Sequence, residues 1–581
     1  MIQIEKRRDY MRKLEDILSR FPSNKLRRIL GDTLVELLTE WALDREIIYD
    51  SNVLAKFCVK IKSTELTKSK KFLSDLISYL TEDELDDLLR LMNQSATDQI
   101  DKYSKLDDLI KSNKNKGLFL DYLGMQNHNE DTTCLTKNIE SISSCANNSQ
   151  FYELFDYQEI IKQQALNLIN DETNLRRILI QMPTGTGKTK TAVHTIINHY
   201  IFKLKKNGLI LWIAPGEELL NQALDTFENC WSHIGSGEIR IYRMWGKYNP
   251  LKEIDDLDHL NGIMFVGVLK LVNLLKKSPD IFECLVKSSR IIVFDEAHKA
   301  AADESFKAVS KLMIKKDGYP DRSLIGLTAT PGRTTSYSEE NNKLVDMFEG
   351  KKITIDSKLL NMINYGDINA INMDTEKNII KYLQNRGVLS KMKLERLNYI
   401  ENLTPDEIRR FREVLVKKTG KDYTEEQVKY LATNTSRNLQ ILKRLRELND
   451  ANISTIVFAA NVEHAKTLNA LLKMENIDSS LVLSQTPTDE RQQAISDFKT
   501  GKNNIIINYG ALTTGFDAKN IQCVFITRPT KSVVLYSQML GRGLRGPLMG
   551  GNEDCLVIDV KDNLESFDNE EAFEHFADYW D

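Results

Sequence analysis

The feature that most restricts this chain is a pair of motifs, each at the exit of an apolar run. Ile178-Leu179-Ile180 leads into Met182-Pro183-Thr184-Gly185-Thr186-Gly187-Lys188-Thr189, and a helical pattern follows from Lys190. Further on, Ile291–Val293 runs into Phe294-Asp295-Glu296-Ala297-His298. A strand, a Gly-rich loop and a helix N-terminus in that order form a cradle for phosphate. Gly185 and Gly187, with Thr184 and Thr186 between and beside them, let backbone N–H groups turn inward on a polyphosphate. Lys188 is placed to reach the β- and γ-phosphates, and the Thr189 hydroxyl to ligate Mg²⁺. Asp295 can hold the same ion through its water shell, while Glu296 can orient and deprotonate an attacking water. Either motif alone can be a chance Gly-rich turn or an acidic strand end. Both in this order point to a nucleotide-binding parallel α/β sheet.

Length and composition set the frame. The 581 residues leave room for about three or four domains. A hydrophobic content of 41% with 28% charged residues is that of a globular protein and excludes a disordered chain. No apolar run reaches the ~18 residues of a membrane span, and Met-Ile-Gln-Ile-Glu-Lys-Arg-Arg at the start holds no signal-peptide core. Seven cysteines occur without a Cys-x-x-Cys pair, so neither a zinc site nor a disulfide framework is indicated. Reduced thiols and a cytoplasmic location are expected. The net charge of −4 means that any nucleic-acid track must be a local basic groove.

The chain divides into unlike regions. Residues 1–124 read as helices: Tyr10, Leu14, Ile17, Leu18 and Phe21 lie on one face, and Thr81–Glu84 is a capping box ahead of Leu85, Leu88, Leu89 and Met92. No catalytic constellation occurs there, so an accessory or interaction domain is expected. Residues 125–150, rich in Asn, Ser, Thr and Asp, read as a linker. Residues 151–335 alternate short apolar strands with helices, which predicts a parallel sheet flanked by helices. Residues 336–452 read as a helical inter-lobe segment, with helix starts at Thr404-Pro405 and Thr424-Glu425. In 453–581, strands return at Thr455–Phe458, Ser480–Leu483, Ile505–Ile507, Cys523–Ile526 and Leu556–Val560, predicting a second parallel α/β lobe. Phe573, Phe576 and Trp580 share one helical face, expected to dock on that lobe.

Three further segments give the phosphate loop a context. Thr328 and Thr330, in Leu327-Thr328-Ala329-Thr330-Pro331, are small hydroxyl residues at a strand end, suited to hydrogen-bonding the Asp295–His298 segment. Gly510-Ala511-Leu512-Thr513-Thr514-Gly515-Phe516-Asp517 follows the strand Ile505–Ile507. Gln538-Met539-Leu540-Gly541-Arg542-Gly543-Leu544-Arg545 places two arginines three apart, on one face if the segment is helical. They could enter a γ-phosphate site as arginine fingers; alternatively they are ordinary solvated helix residues.

From Phe155 to Asp562 the chain resembles a superfamily 2 helicase/translocase core, and more narrowly the restriction-type DEAH helicase family, the motor of type I and type III restriction subunits. Phe155-Asp156-Tyr157-Gln158 resembles the adenine-recognition element. Met182–Thr189 resembles motif I, Ile213–Gln222 motif Ia, Asp295–His298 motif II and Thr328–Thr330 motif III. Ile456–Asn461 resembles motif IV, Thr513–Asp517 motif V and Gln538–Arg545 motif VI. The resemblance implies two tandem RecA-like lobes, with ATP and Mg²⁺ bound between them. It implies that Gln158 hydrogen-bonds adenine and Asp517 the ribose, and that Gln538, Arg542 and Arg545 complete the site when the cleft closes. His298 either couples the lobes or is a packed histidine. Pro215, Gly216, Thr513 and Thr514 fall in segments that line a nucleic-acid track, where exposed N–H groups and small residues suit phosphate contact. The expected activity is ATP-driven translocation on nucleic acid, duplex DNA first. The alternatives are an RNA helicase, or an ATPase sensor that gates a partner without unwinding. No Asp…Glu-x-Lys nuclease cluster is seen outside the motor, so a separate effector or nuclease, engaged through the N-terminal helices, is expected. A place in antiviral defence follows from the resemblance alone.

Overall fold

The computed structural model describes residues 13–562 apart from 32–33, 36–37, 39–49, 67–68, 95–98, 124–136, 145–152, 172–175, 255, 258, 330–338, 356–374, 400–403, 416–422, 514–515, 517 and 531. Two open sheets carry the fold. The first contains β1 (Ile139–Ser143), β2 (Arg177–Gln181), β3 (Leu209–Ala214), β4 (Glu238–Met244), β5 (Gly262–Gly267), β6 (Ser289–Asp295), β7 (Ser323–Thr328) and β8 (Lys352–Thr354). Their order is β1-β4-β5-β3-β6-β7-β2-β8, parallel throughout except for β1 against β4. The near-continuous apolar runs predicted as strands are buried on both faces, as a helix-covered parallel sheet requires. Ile178, Ile180, Ile210, Trp212 and Val293 face one helical layer, and Leu179, Leu211, Ile213, Ile292 and Phe294 the other.

Register brings the chemistry to one edge. Gln181 pairs with Thr328, and Asp295 with Leu327; Met182 N–H also donates to the Thr328 carbonyl at 3.1 Å. The carboxyl ends of β2, β6 and β7 therefore lie side by side, which is where α/β sheets bind ligands.

The second sheet contains β9 (Lys391–Leu397), β10 (Thr455–Phe458), β11 (Ser479–Leu483), β12 (Ile505–Tyr509), β13 (Cys523–Ile526) and β14 (Asp554–Val560). Its order is β11-β12-β10-β13-β14-β9, with every pair parallel. The two parallel-sheet lobes expected from the strand–helix alternation are both present.

The structure moves three boundaries. The predicted linker contains β1, which pairs with β4 from Ile139↔Tyr242 to Ser143↔Glu238 and is held by an Arg243–Glu140 ion pair at 2.7 Å. As a partly exposed edge strand it needs little apolar content, so its Ile-Glu-Ser-Ile-Ser sequence carries almost no strand signal. The predicted helical inter-lobe segment supplies β8 and β9, one for each sheet. β9 alternates Lys391, Lys393 and Glu395 with Met392, Leu394 and Arg396, the pattern of an edge strand with one wet face. The N-terminal helices are not set apart from the motor. Leu14, Leu26, Leu54, Cys58, Leu73 and Phe119 belong to the same buried cluster as Leu442, Leu468, Ile505 and Phe525 of the second lobe. Tyr10 and the segment Phe573–Trp580 lie outside the described residues.

Candidate ATP site and nucleic-acid face

After β2 the backbone turns sharply. Gly185 and Gly187 take φ values of +87° and +80°, a left-handed region that costs other L-residues energy. Gly187 also needs its missing side chain, because a Cβ there would overlap the Gln158 amide nitrogen. The helix Lys188–Asn198 starts at this point, so its N-terminal N–H groups and Lys188 both face the loop.

Gln158 is fully buried. Its Nε2 donates to the Thr186 carbonyl at 2.8 Å and to the Tyr157 hydroxyl at 3.3 Å, while its Oε1 accepts from Phe155 N–H at 3.0 Å. Tyr157 donates to the same Thr186 carbonyl at 2.8 Å. The amide therefore supports the loop from below, with both donors and its acceptor already engaged. Gln158 also caps its own helix from the N3 position, its Oε1 accepting the Phe155 N–H.

Asp295 and Glu296 follow β6. Asp295 Oδ1 accepts from Glu296 N–H at 2.9 Å. At Glu296 the backbone turns left-handed, with φ +53°, strain of about 1 kcal/mol or more for a non-glycine residue. The turn brings the Glu296 carboxylate within 3.3 Å of His298 Nδ1, which also lies 3.3 Å from Thr328 Oγ1. Motif II and the strand β7 that bears Thr328 are thus in contact through His298. The two carboxyls titrate apart. Burial raises Asp295 above the ordinary carboxylate range against the pull of Lys188, with the adjacent Glu296 charge adding to the rise. Burial pushes Glu296 up too, but Lys188, then His298, Arg542 and Lys299, outweigh it and hold the group below the ordinary carboxylate range. Glu296 is therefore held ionised at neutral pH, the form that can accept a proton. Asp295, buried with one oxygen already accepting an N–H, and Thr189 in the first turn of the helix fit a hydrated Mg²⁺. Such an ion would neutralise phosphate charge.

The second lobe completes the cleft. The helix Val533–Leu540 ends before either arginine. Gly541 lies so close to Thr184, and Gly543 to Cys555 and Val524, that any side chain would collide. The expectation that Arg542 and Arg545 share a helical face is corrected: the chain leaves the helix at Gly541 and lies along the phosphate loop. A methyl group built on Gly185 would touch Leu389 at 3.4 Å and the Leu544 carbonyl at 3.5 Å. Arg542 is fixed by donating Nη1 to the Phe516 carbonyl at 2.7 Å and Nε to the Gln538 carbonyl at 3.2 Å. Burial lowers its pKa to about 10, opposed by the charge of Glu296, so it remains a cation at neutral pH within the field of that carboxylate. Arg545 diverges, forming a bridge with Leu389, while its charge is felt by Lys499. Gln538 is buried at the end of the same helix. Thr330, Thr514 and Asp517 lie outside the described residues.

Sequence reasoning missed a strap across this cleft. Arg386, after the helix Thr375–Asn385, binds both oxygens of Asp156 at 2.6 Å. Ser390 Oγ donates to the carbonyls of Arg545 at 2.6 Å and Asn552 at 2.7 Å. Leu383, Val388, Leu389 and Leu544 are all buried in a cluster of the first lobe. Only a spacing too long for any motif joins these positions, so no local signal could have disclosed them.

On the neighbouring edge, Pro215 and Gly216 lead from β3 into the helix Glu217–Ile234, with Gly216 as its N-cap. Thr513 lies after β12 in a loop held by buried Asn508, whose Oδ1 accepts from Leu512 N–H at 3.3 Å. The lobes also meet here: Arg491 forms an ion pair with Glu218 and donates Nη2 to the carbonyls of Leu483 and Ser484. Arg491 was not singled out from the sequence, since a lone arginine in a charged helix carries no signal.

Residues 151–333 match the family described as "Type III restriction enzyme, res subunit", and residues 437–546 match "Helicase conserved C-terminal domain". The chain is 26% identical over 419 residues to "Putative ATP-dependent helicase IRC3" of Saccharomyces cerevisiae, covering 70% of this chain and 51% of that protein. It is 26% identical over 417 residues to "Type I restriction enzyme EcoAI endonuclease subunit" of Escherichia coli, covering 68% of this chain and 44% of the relative. Among solved structures, "Crystal Structure of DUF1998 helicase MrfA bound to DNA" has a TM-score of 0.48 and 14% identity, over 76% of this chain and 56% of that one. The chain spans about half the length of the curated relatives it matches. No helix among the described residues is long and apolar enough to cross a membrane. Both family matches fall on the two lobes that build the phosphate site, so the chain carries an ATP-hydrolysing superfamily 2 helicase core, similar to that of the restriction subunits.

Proposed function

We propose that the protein is a nucleic-acid-stimulated ATPase that translocates on duplex DNA, as the motor of a restriction-like or antiviral system. The observation that carries this reading is the composite cleft. Lys188 and Glu296 come from one lobe and Arg542 from the other, and Arg542 acts electrostatically on Glu296. In this reading Lys188 binds phosphate, Glu296 takes the proton of the attacking water, and Arg542 stabilises charge on the transferred phosphoryl group. A site split between two bodies ties hydrolysis to their separation and closure. Gly216 N–H, Thr513 and Arg491 lie on the face where both lobes would grip one strand's phosphates. Duplex DNA is favoured over RNA by the restriction-subunit matches, and a separate nuclease or effector is the partner those matches suggest.

The test is steady-state ATP hydrolysis with a linear duplex DNA, one of its single strands, and an RNA of the same sequence. Duplex DNA should stimulate most, and triplex displacement by the moving protein should require hydrolysable ATP. Stimulation by RNA alone would replace the substrate assignment; stimulation by duplex without triplex displacement would leave an ATPase switch.

A further inference from the structure

A second cleft of about 380 Å³ opens on the first lobe at the amino ends of β2 and β7, the edge opposite the phosphate loop. Five cations line it, Arg176, Arg177, Lys315, Lys316 and Arg322, against two carboxylates, Asp317 and Asp321. One carboxylate is spent: Asp321 pairs with Arg176 at 3.4 Å. Arg322 is the unusual member. It is only 7% exposed, donating Nε to the Val286 carbonyl at 3.0 Å and Nη1 to the Ile314 carbonyl at 2.8 Å, whereas its Nη2 has no hydrogen-bond partner. Arg177 Nε is likewise buried and unpartnered. Leaving a charged donor unsatisfied in a buried position is unfavourable, and a nearby anion would offset it. Tyr319 stands between two of the cations, with the Arg322 guanidinium 5.4 Å and the Lys316 ammonium 5.2 Å from its ring centre. Its hydroxyl is taken by Glu283. Burial and neighbouring Arg290 draw the Arg322 pKa down, opposed by Glu283 and Asp321.

We propose that this cleft binds a compact anion bearing two or more phosphate groups, independently of the motor's own ATP site. Arg322 and Arg177 form its floor, and exposed Lys315 and Lys316 close over it. The size suits a small ligand rather than a strand, since small-molecule sites begin at about 300 Å³. The position argues the same way. Gly216 and Thr513 follow the carboxyl ends of β3 and β12, whereas the cleft lies at the amino ends of β2 and β7, so a strand gripped between the lobes does not pass it. The planar guanidinium groups match phosphate oxygens, and the flanking ammonium groups add point charge without fixed geometry.

Equilibrium dialysis of the full-length chain against labelled inorganic pyrophosphate counts the sites. The unmodified chain should bind two equivalents, one at the phosphate loop and one here. The K315E/K316E double variant should bind one and keep its ATP hydrolysis and melting temperature. Lys188→Ala should also bind one, and the triple combination none. Arg322→Gln, where it folds, should lose the same equivalent as the double variant; where it does not, the double variant alone decides. A single equivalent on the unmodified chain, or two equivalents unchanged in K315E/K316E, overturns the proposal. So does displacement of the second equivalent by a short duplex DNA, which would make the cleft part of a nucleic-acid footprint.

Discussion

The division of labour between Lys188, Glu296 and Arg542 makes their substitutions separable. In the proposed mechanism Lys188 binds phosphate in the ground state and Glu296 acts on water, so Lys188→Ala should abolish tight ATP binding in an equilibrium titration. Glu296→Gln should retain ATP binding and lower kcat by about 10²–10⁴. Near-normal turnover in that variant would remove Glu296 from the role of base. Arg542→Ala should reduce kcat at least about 10²-fold, because its charge serves the transition state more than the bound substrate; unchanged single-turnover rates would show that the cation merely braces Phe516 and Gln538. The placement of Lys188 and Glu296 at strand ends was legible in the sequence because each sits in a short motif whose spacing encodes its geometry. The local conformations at Gln158 and Arg545 were not. The Gln158 motif does not reveal that its amide is engaged by Thr186, Tyr157 and Phe155, and the three-residue spacing of the arginines implies a shared helical face only if the helix continues, whereas the chain passes into turns after Leu540.

At the scale of elements, what could be read depended on burial. Fully buried strands such as Leu209–Ala214 and Ile291–Phe294 stand out as apolar runs, whereas the edge strands Ile139–Ser143 and Lys391–Leu397 satisfy mostly backbone hydrogen bonds and need few apolar residues. A similar concealment occurs after the phosphate-loop helix, which passes into a π-helical turn over His199–Lys203. In this turn His199 Nδ1 lies 2.7 Å from Asn170 Oδ1. Burial first, then the charges of Arg176 and Lys203, lower the His199 pKa to about 4. The neutral imidazole is therefore the folded form. Its folded value lies below its unfolded value of 6.5, so its contribution is complete above pH 6.5 and is lost as pH falls toward 4. The shift corresponds to at most about 3 kcal/mol. The melting temperature should fall between pH 6.5 and 4, and His199→Gln should flatten part of that fall. Buried His464, also held neutral, leaves a residual slope with the same sign. An unaltered pH profile in His199→Gln would place the acid sensitivity elsewhere.

The molecule as a whole is tied together more tightly than its sequence regions imply. A helical pattern followed by a polar stretch suggests a detachable domain, because local sequence cannot say what an apolar helical face packs against. In the structure the helix Ser51–Leu66 lies on the helix Val462–Met474 of the second lobe, and Lys60 Nζ donates to Asn476 Oδ1 at 3.0 Å. Their buried residues form one cluster with the second sheet, and β1 extends the first sheet. Residues before Phe151 thus contribute to both lobes. Removing residues 1–150 would expose apolar surface of the second lobe and bare β4 as a sheet edge, and both changes favour association with other chains. At roughly 25 cal/mol per Å², uncovering even a few hundred Å² costs a sizeable part of a net stability of about 5–15 kcal/mol. The truncated chain should melt well below the full-length protein and self-associate on size exclusion. Val59→Asp, at a buried position of Ser51–Leu66, should lower the melting temperature of the whole protein and shift the unfolding of the second lobe with it. The decisive measurement is thermal unfolding of the truncation and of Val59→Asp, followed by stimulated ATP hydrolysis. A monomeric truncation with full-length melting behaviour and normal stimulation would show that the helices are an accessory domain resting on a self-sufficient motor.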